Sequence, residues 1–300
     1  MSNGPGGSVR RPRQVEVHPF PADRRLVTAA VRAGRRIAPM HGLLAVDVTD
    51  ARRLLAEHDP PLSMTAFVVA SVARAAAEHP AVHAYRDWRG RLVQHRHVDV
   101  QTLIEVRLDD GSPFGLVHVV RDADVRGVPE ITAELRATTS VAAAASRRAL
   151  GRFAGAGRVP GVFPVMYAVM ARSVRVHRQT GTVQVTAIGM FAGGGGFAIA
   201  PPTLASLTVV VGGLNRTPLA VGDEVAIRDV LDLTLTIDHN VVDGAPATRF
   251  GADLRRRMQD PASVAALLTP PTPLPEDDDE VDTPVSRQTP ETASPAAPDL

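Results

Sequence analysis

The sequence contains no cysteine. That excludes thiol nucleophiles, disulfides, cysteine-based zinc sites and iron–sulfur clusters at once. It also contains no lysine: all 33 basic residues are arginine. A chain without lysine cannot carry a Schiff base to pyridoxal phosphate, a P-loop lysine, or a lysine-linked biotin or lipoyl arm. Any cofactor has to arrive from outside. Aromatic residues make up only 4%. No apolar run reaches the roughly 18 residues of a membrane span. The longest, Val159–Ala171, is interrupted by Pro160 and Pro164. Met1–Arg13 is rich in Gly, Arg and Pro without an apolar segment, so it does not read as a signal peptide, and a cytoplasmic location is expected.

What is present is ordinary for a folded domain. Of the 300 residues, 44% are hydrophobic and 22% charged. The net charge of +1 is uneven: residues 269–300 hold eight acidic residues, one arginine and eight prolines. The rest is left with 32 basic and 24 acidic residues, a net +8 that suits a polyanionic ligand. Three regions follow: a flexible segment 1–15, one domain over 16–268, and a disordered, Pro-rich acidic tail over 269–300.

Within the domain, helices and strands are mixed. Helices are predicted over Pro21–Ile37, Ala51–His58, from Ser63 as cap to about Glu78, over Pro129–Ala145 and over Gly244–Gln259. The helix after Ser63 is apolar nearly all round and should be buried. Strands are predicted over Leu43–Val48, Leu92–Arg107, Leu116–Val120, Thr182–Ile188, Ser206–Gly212 and Leu231–Ile237. Adjacent strands with separate helices point to an α+β layer rather than a βαβ repeat.

The chemistry concentrates in Leu231–Phe250, LDLTLTIDHNVVDGAPATRF. Leu231, Leu233, Leu235 and Ile237 face one way, and His239 shares their parity, which would place it on the buried face at the strand's end. A desolvated imidazole stays neutral more readily, which suits a general base. A strand-end His is equally a hydrogen-bonded core residue, and Asp243 is equally a helix N-cap. His95-x-His97 would set two imidazoles on one strand face, but no third metal ligand accompanies them. Gly193–Gly196 reads as a flexible loop rather than a phosphate cradle, and the Arg-rich helix 22–36 as a solvated face rather than a nucleic-acid contact.

His239-Asn240-Val241-Val242-Asp243-Gly244 fits an H-x-x-x-D-G pattern. Val46–Thr49, the helix Thr65–Pro80, Asp122-Ala123-Asp124 with Glu130-Ile131, and Gly181–Gly189 (GTVQVTAIG) stand in order before it. Over about residues 20–265 the chain resembles the catalytic domain of the dihydrolipoyl acyltransferases of 2-oxo acid dehydrogenase complexes. The resemblance implies a chloramphenicol acetyltransferase-like two-layer α+β fold, with a mixed sheet and packed helices. It further implies an acyltransferase moving an acyl group between coenzyme A and a thiol such as dihydrolipoamide. His239 would be the general base, Asp243 would hold the His loop, and Thr186, where the family has Ser, would donate to the oxyanion. Coenzyme A or acyl-CoA is then a substrate, the lipoyl group belongs to a separate protein, and the chain forms a homotrimer or a multiple of it. No metal, nucleic acid or membrane partner is expected.

The sequence departs from the family at several points. These 300 residues contain no lipoyl and no small subunit-binding domain, Asn240 replaces the usual Arg, and Arg147–Thr180 is longer than the family connection. They keep two alternatives in view: a non-catalytic assembly or regulatory subunit with the same fold, and acyl transfer to a small alcohol or amine.

Overall fold

The computed structural model describes residues 15–20, 22–107, 113–138, 162–187, 194–202 and 204–269. Calls that fall on other positions, including Ile188–Gly193, residues 139–161 and nearly all of the acidic tail, lie outside the described residues.

In chain order the elements are α1 (Ala22–Gly34), β1 (Pro39–Asp47), α2 (Thr49–Ala56), α3 (Met64–Glu78), a 3-10 turn (Pro80–His83), β2 (Tyr85–Arg86), β3 (Leu92–Val93), β4 (Val100–Arg107) and β5 (Pro113–Val120). They continue with α4 (128–138), α5 (Val162–Met170), α6 (Val174–Thr180), β6 (Val183–Ala187), β7 (Leu207–Val221), β8 (Glu224–Asp238), α7 (Gly244–Gln259) and α8 (Pro261–Leu268). Helix α3 begins where expected: Ser63 Oγ accepts from Ala66 N at 3.4 Å. Ten of its residues are buried, as its all-round apolar sequence requires.

Six strands form one mixed sheet in the order β1-β8-β7-β6-β4-β5. β6 runs parallel to β4 and β7, and the other pairs are antiparallel. Alternation gives the sheet two unlike faces. One carries Val46, Val183, Val185, Leu207, Val209, Leu233, Leu235 and Ile237 into the core, beneath Phe67 of α3 and Phe250 and Leu254 of α7. The other is polar. Register aligns Thr186 with Val210 and Thr234, and Gln184 with Thr208 and Thr236.

Four expectations change. The strand that was to end at Gly212 runs on to Val221 through a bulge between Val211 and Leu214. A Cβ on Gly213 would stand 2.2 Å from the carbonyl oxygen of Gly194, so the glycine is there to let that segment lie against the strand. Its partner β8 likewise starts at Glu224, before the alternating stretch. The strand expected over Leu92–Arg107 divides into β3 and β4, and His95 and His97 fall in the bend between them rather than on a strand face. Helix α8, not anticipated, is capped by Asp260 Oδ2, which accepts from Ser263 N at 2.9 Å.

Candidate active site

β8 ends at Asp238, and the chain turns before entering α7. The turn is tied down by a carboxylate. Asp238 Oδ1 accepts from Ala38 N (3.2 Å), Asn240 N (3.0 Å) and Asn240 Nδ2 (2.7 Å). Asn240 Nδ2 also reaches the carbonyl of Arg36 at 3.2 Å. The amide of His239 donates to the carbonyl of Ala38 at 2.8 Å, and Val242 beyond it is buried in the core. His239 is therefore fixed through its backbone on both sides while its side chain hangs free of the strand.

That placement corrects the expectation of a buried-face His239. Strand parity would have pointed it inward, but the strand stops one residue earlier, and the side chain is 50% exposed. Its Nδ1 faces Asp243 Oδ1 at 3.8 Å, too long for a hydrogen bond. Asp243 occupies the N-cap position of α7 but makes no capping bond with its side chain, which is 91% exposed. Pro246 sits in the first turn, where its missing N–H is harmless.

Thr186 lies elsewhere, on the polar face of β6 and 5% exposed. Thr186, Val210 and Thr234 stand side by side across β6, β7 and β8, and His239 follows Thr234 by five positions. With roughly 3.3 Å per residue and roughly 4.8 Å between strands, the two sites are separated by about 19 Å within one chain. The structure brings His239 and Asp243 together and leaves Thr186 apart.

An apolar cavity of about 300 Å³ opens between β1 and α7, lined among others by Met40, Leu44, Leu235, Ile237 and Ala247. Sequence reasoning missed the part of Asp238, whose partner Ala38 is 200 positions away. It weighed His95 only as half of a metal pair with His97 and assigned no role to His83. His83 is fully buried, with Nδ1 2.8 Å from Thr182 Oγ1 and its pKa lowered to about 4, mainly by burial and then by the charges of His95 and His97. His95 is also lowered to about 4, again by burial first. Among the described residues no group of three or more His, Cys, Asp or Glu could hold a metal ion. The Gly-rich loop does not offer a phosphate cradle at Gly196, whose N–H is taken by Asp232 Oδ2 at 2.7 Å. Among the described residues no helix is long and apolar enough to cross a membrane.

The family described as 2-oxoacid dehydrogenases acyltransferase (catalytic domain) matches residues 14–150 and 170–266. The chain belongs to this family. The unmatched stretch 151–169 falls within the segment that is long for the family and includes most of α5. The chain is 25% identical over 245 residues to the lipoamide acyltransferase component of the branched-chain alpha-keto acid dehydrogenase complex of Pseudomonas aeruginosa, covering 77% of this chain and 49% of that one. It is 24% identical over 235 residues to the dihydrolipoyllysine-residue acetyltransferase component of the pyruvate dehydrogenase complex of Mycoplasma capricolum, covering 75% and 46%. The chain thus spans about half the length of the curated relatives it matches.

Among solved structures, the dihydrolipoamide acetyltransferase of Azotobacter vinelandii superposes with a TM-score of 0.63 at 17% identity, over 88% of this chain and all of that one. The cubic core of a pyruvate dehydrogenase multienzyme complex gives 0.61 at 18% identity, with the same coverage. The fold is the expected α+β architecture of a mixed sheet with packed helices, shared with these solved cores.

Proposed function

We propose that this protein transfers an acyl group between coenzyme A and a thiol such as dihydrolipoamide, with His239 as general base and Thr186 as oxyanion donor. His239 takes the thiol proton, and the thiolate attacks the carbonyl carbon of the thioester. The tetrahedral oxyanion accepts a hydrogen bond from the Thr186 hydroxyl. Collapse expels the second sulfur, which recovers the proton from His239. Asp243 Oδ1 stands 3.8 Å from Nδ1, and a small side-chain rotation on substrate binding would bring it within hydrogen-bond reach, with Nε2 towards the thiol.

The observation that carries this reading is the register that sets Thr186 beside Val210 and Thr234, five positions before His239: ideal strand spacing then puts about 19 Å between two groups that the chemistry needs within reach of one substrate. A second copy of the chain removes the difficulty: His239 of one subunit serves Thr186 of the next. We therefore propose a homotrimer or a multiple of it, with the site recurring at every interface. The Azotobacter vinelandii neighbour supports the assignment. The roles of a serine, a histidine and an asparagine in its catalytic mechanism have been investigated; the asparagine follows the histidine by four positions, as Asp243 follows His239. The serine precedes that histidine by 52 positions, and Thr186 precedes His239 by 53. These 300 residues hold no lysine for a lipoyl arm, so the dihydrolipoamide that meets this site is carried outside them.

The test is complementation. His239→Ala and Thr186→Ala chains are inactive alone; co-refolded, they form mixed assemblies in which some interfaces hold both intact groups, and coenzyme A release recovers. An active monomer by light scattering, or no recovery on mixing, overturns the shared site. No release by the wild type from any acyl-CoA overturns the enzymatic reading.

A further inference from the structure

Three arginines from separate segments converge beside the His239 turn. Arg36 lies between α1 and β1, Arg86 ends β2, and Arg172 lies between α5 and α6. With Ser206, Asp238 and Asn240 they line a cavity of about 100 Å³. Asp238 and Asn240 are the two chain neighbours of His239, so the cavity adjoins the turn that carries the proposed base, although His239 does not itself line it.

The lining is cationic. Three guanidinium groups meet one carboxylate, and that carboxylate already serves Ala38 and Asn240 through Oδ1. Arg36 is held in the wall by Nη1 donating to the carbonyl of Ala33 (3.3 Å) and Nη2 to that of Leu204 (3.1 Å). Its pKa lies below the ordinary value, mainly through burial, which the charge of Asp238 opposes and that of Arg172 reinforces. Arg36 thus stands near one carboxylate and a second guanidinium, and a further anion would sit between two cations. Guanidinium forks match carboxylate or phosphate geometry.

Reach decides between the two. The phosphates of a coenzyme A donor stand a whole pantetheine arm away from the sulfur. In a dicarboxylic acid bound as a monothioester, the free carboxylate stands a few methylenes from the reacting carbonyl. A cationic cavity flanked by the neighbours of His239 suits the shorter reach.

We propose that this cavity receives the free carboxylate of a dicarboxylic acyl group, so that the protein prefers succinyl-type over acetyl-type thioesters. The proposal rests on the acyl-transfer reading of His239, yet it has a readout that needs no turnover. Arg172 Cζ lies 5.7 Å from the ring centroid of Trp88, the only tryptophan of the chain. An anion that engages Arg172 disturbs this cation–π pair and changes the tryptophan emission.

The experiment titrates the full chain with succinyl-CoA, acetyl-CoA, isobutyryl-CoA, coenzyme A and inorganic phosphate while following Trp88. Coenzyme A release to dihydrolipoamide is measured in parallel, in the wild type and in Arg86→Gln, whose side chain is at the exposed rim. The expected result is a saturable emission change at about tenfold lower concentration of succinyl-CoA than of the other thioesters, with the preference lost in Arg86→Gln. An emission change with that selectivity but no turnover supports the cavity and overturns the acyl-transfer reading. Turnover without succinyl selectivity leaves that reading standing and overturns this proposal. An equal response to coenzyme A and phosphate overturns it in favour of a phosphate site. Preference for isobutyryl-CoA overturns it and assigns the acyl group to the apolar cavity between β1 and α7.

Discussion

Asn240 Nδ2 donates to Asp238 Oδ1 at 2.7 Å, so the residue after His239 is tied to the residue before it. The same oxygen holds the start of β1 through Ala38 N. Asp238 is thus a positioning residue: it shapes the turn on which His239 stands. Replacing it by Ala removes the acceptor of three donors. A displacement of His239 by about 1 Å is enough to lower turnover about 10²-fold. The expected outcome for Asp238→Ala is such a loss in kcat, with partial recovery in Asp238→Asn, which keeps an acceptor. Steady-state kinetics beside a thermal melt check this; equal kcat in wild type and Asp238→Ala contradicts it.

His239→Ala should separate chemistry from folding. The side chain is half exposed and faces an exposed carboxylate at 3.8 Å, a pairing of little energetic consequence. Stability should change by no more than about 0.5 kcal/mol. Transfer should fall about 10²–10⁴-fold with the loss of the base. Wild-type rates in a folded variant would remove His239 from the mechanism.

Acid should destabilise the protein through the histidines behind β2. His83 is lowered to about 4 in the folded chain, against an ordinary value of about 6.5. Between these values the unfolded chain binds the extra proton, so stability is full above about pH 6.5 and declines as pH falls towards 4. His83 alone accounts for up to about 3 kcal/mol at the lower end. His95, shifted to about 4, acts in the same direction. Urea unfolding at pH 7, 6, 5 and 4 should show this slope, and His83→Gln should flatten it. An identical slope in wild type and variant would show that His83 titrates without consequence for folding.

Gly181 should not tolerate a side chain. It has φ +77°, and a Cβ there would stand 2.3 Å from the carbonyl oxygen of Asp99. It leads directly into β6, whose parallel pairing with β4 starts at Val183 and Val100. Gly181→Ala therefore combines left-handed backbone strain with a clash against backbone, and should lose at least about 2 kcal/mol. A shift in urea midpoint at constant m-value measures it; an unchanged midpoint would show that Asp99 yields.

Much of this molecule was legible residue by residue. Ser63 announced the start of α3, and the apolar sequence behind it announced burial on all sides. Alternation from Leu231 to Ile237 identified the core-facing strand, and the pattern from Gly244 to Gln259 gave α7 with its bounds intact. These signals are local, because caps and periodicities repeat within a turn or two of the chain. The H-x-x-x-D-G spacing and the order of the other motifs pointed to the family on the same local terms.

Most of the failures share one cause. Parity placed His239 inward because nothing near it in sequence says that the strand stops at Asp238; the stop is set by Ala38, 200 positions away. β7 continues past Gly212 because Leu214–Val221 pair with β8 as a hairpin, beyond a bulge against which Gly194–Gly196 lie. The cationic cavity gathers positions 36, 86, 172, 206, 238 and 240 from segments with no common pattern. The sequence by itself determined most of the elements and the motif order that marks the family, since each depends on residue type and neighbouring positions. Only the tertiary structure decided how exposed His239 is, how far it stands from Thr186, and which charges surround it. Burial and distance are properties of contacts between remote segments, and no short stretch of chain contains them.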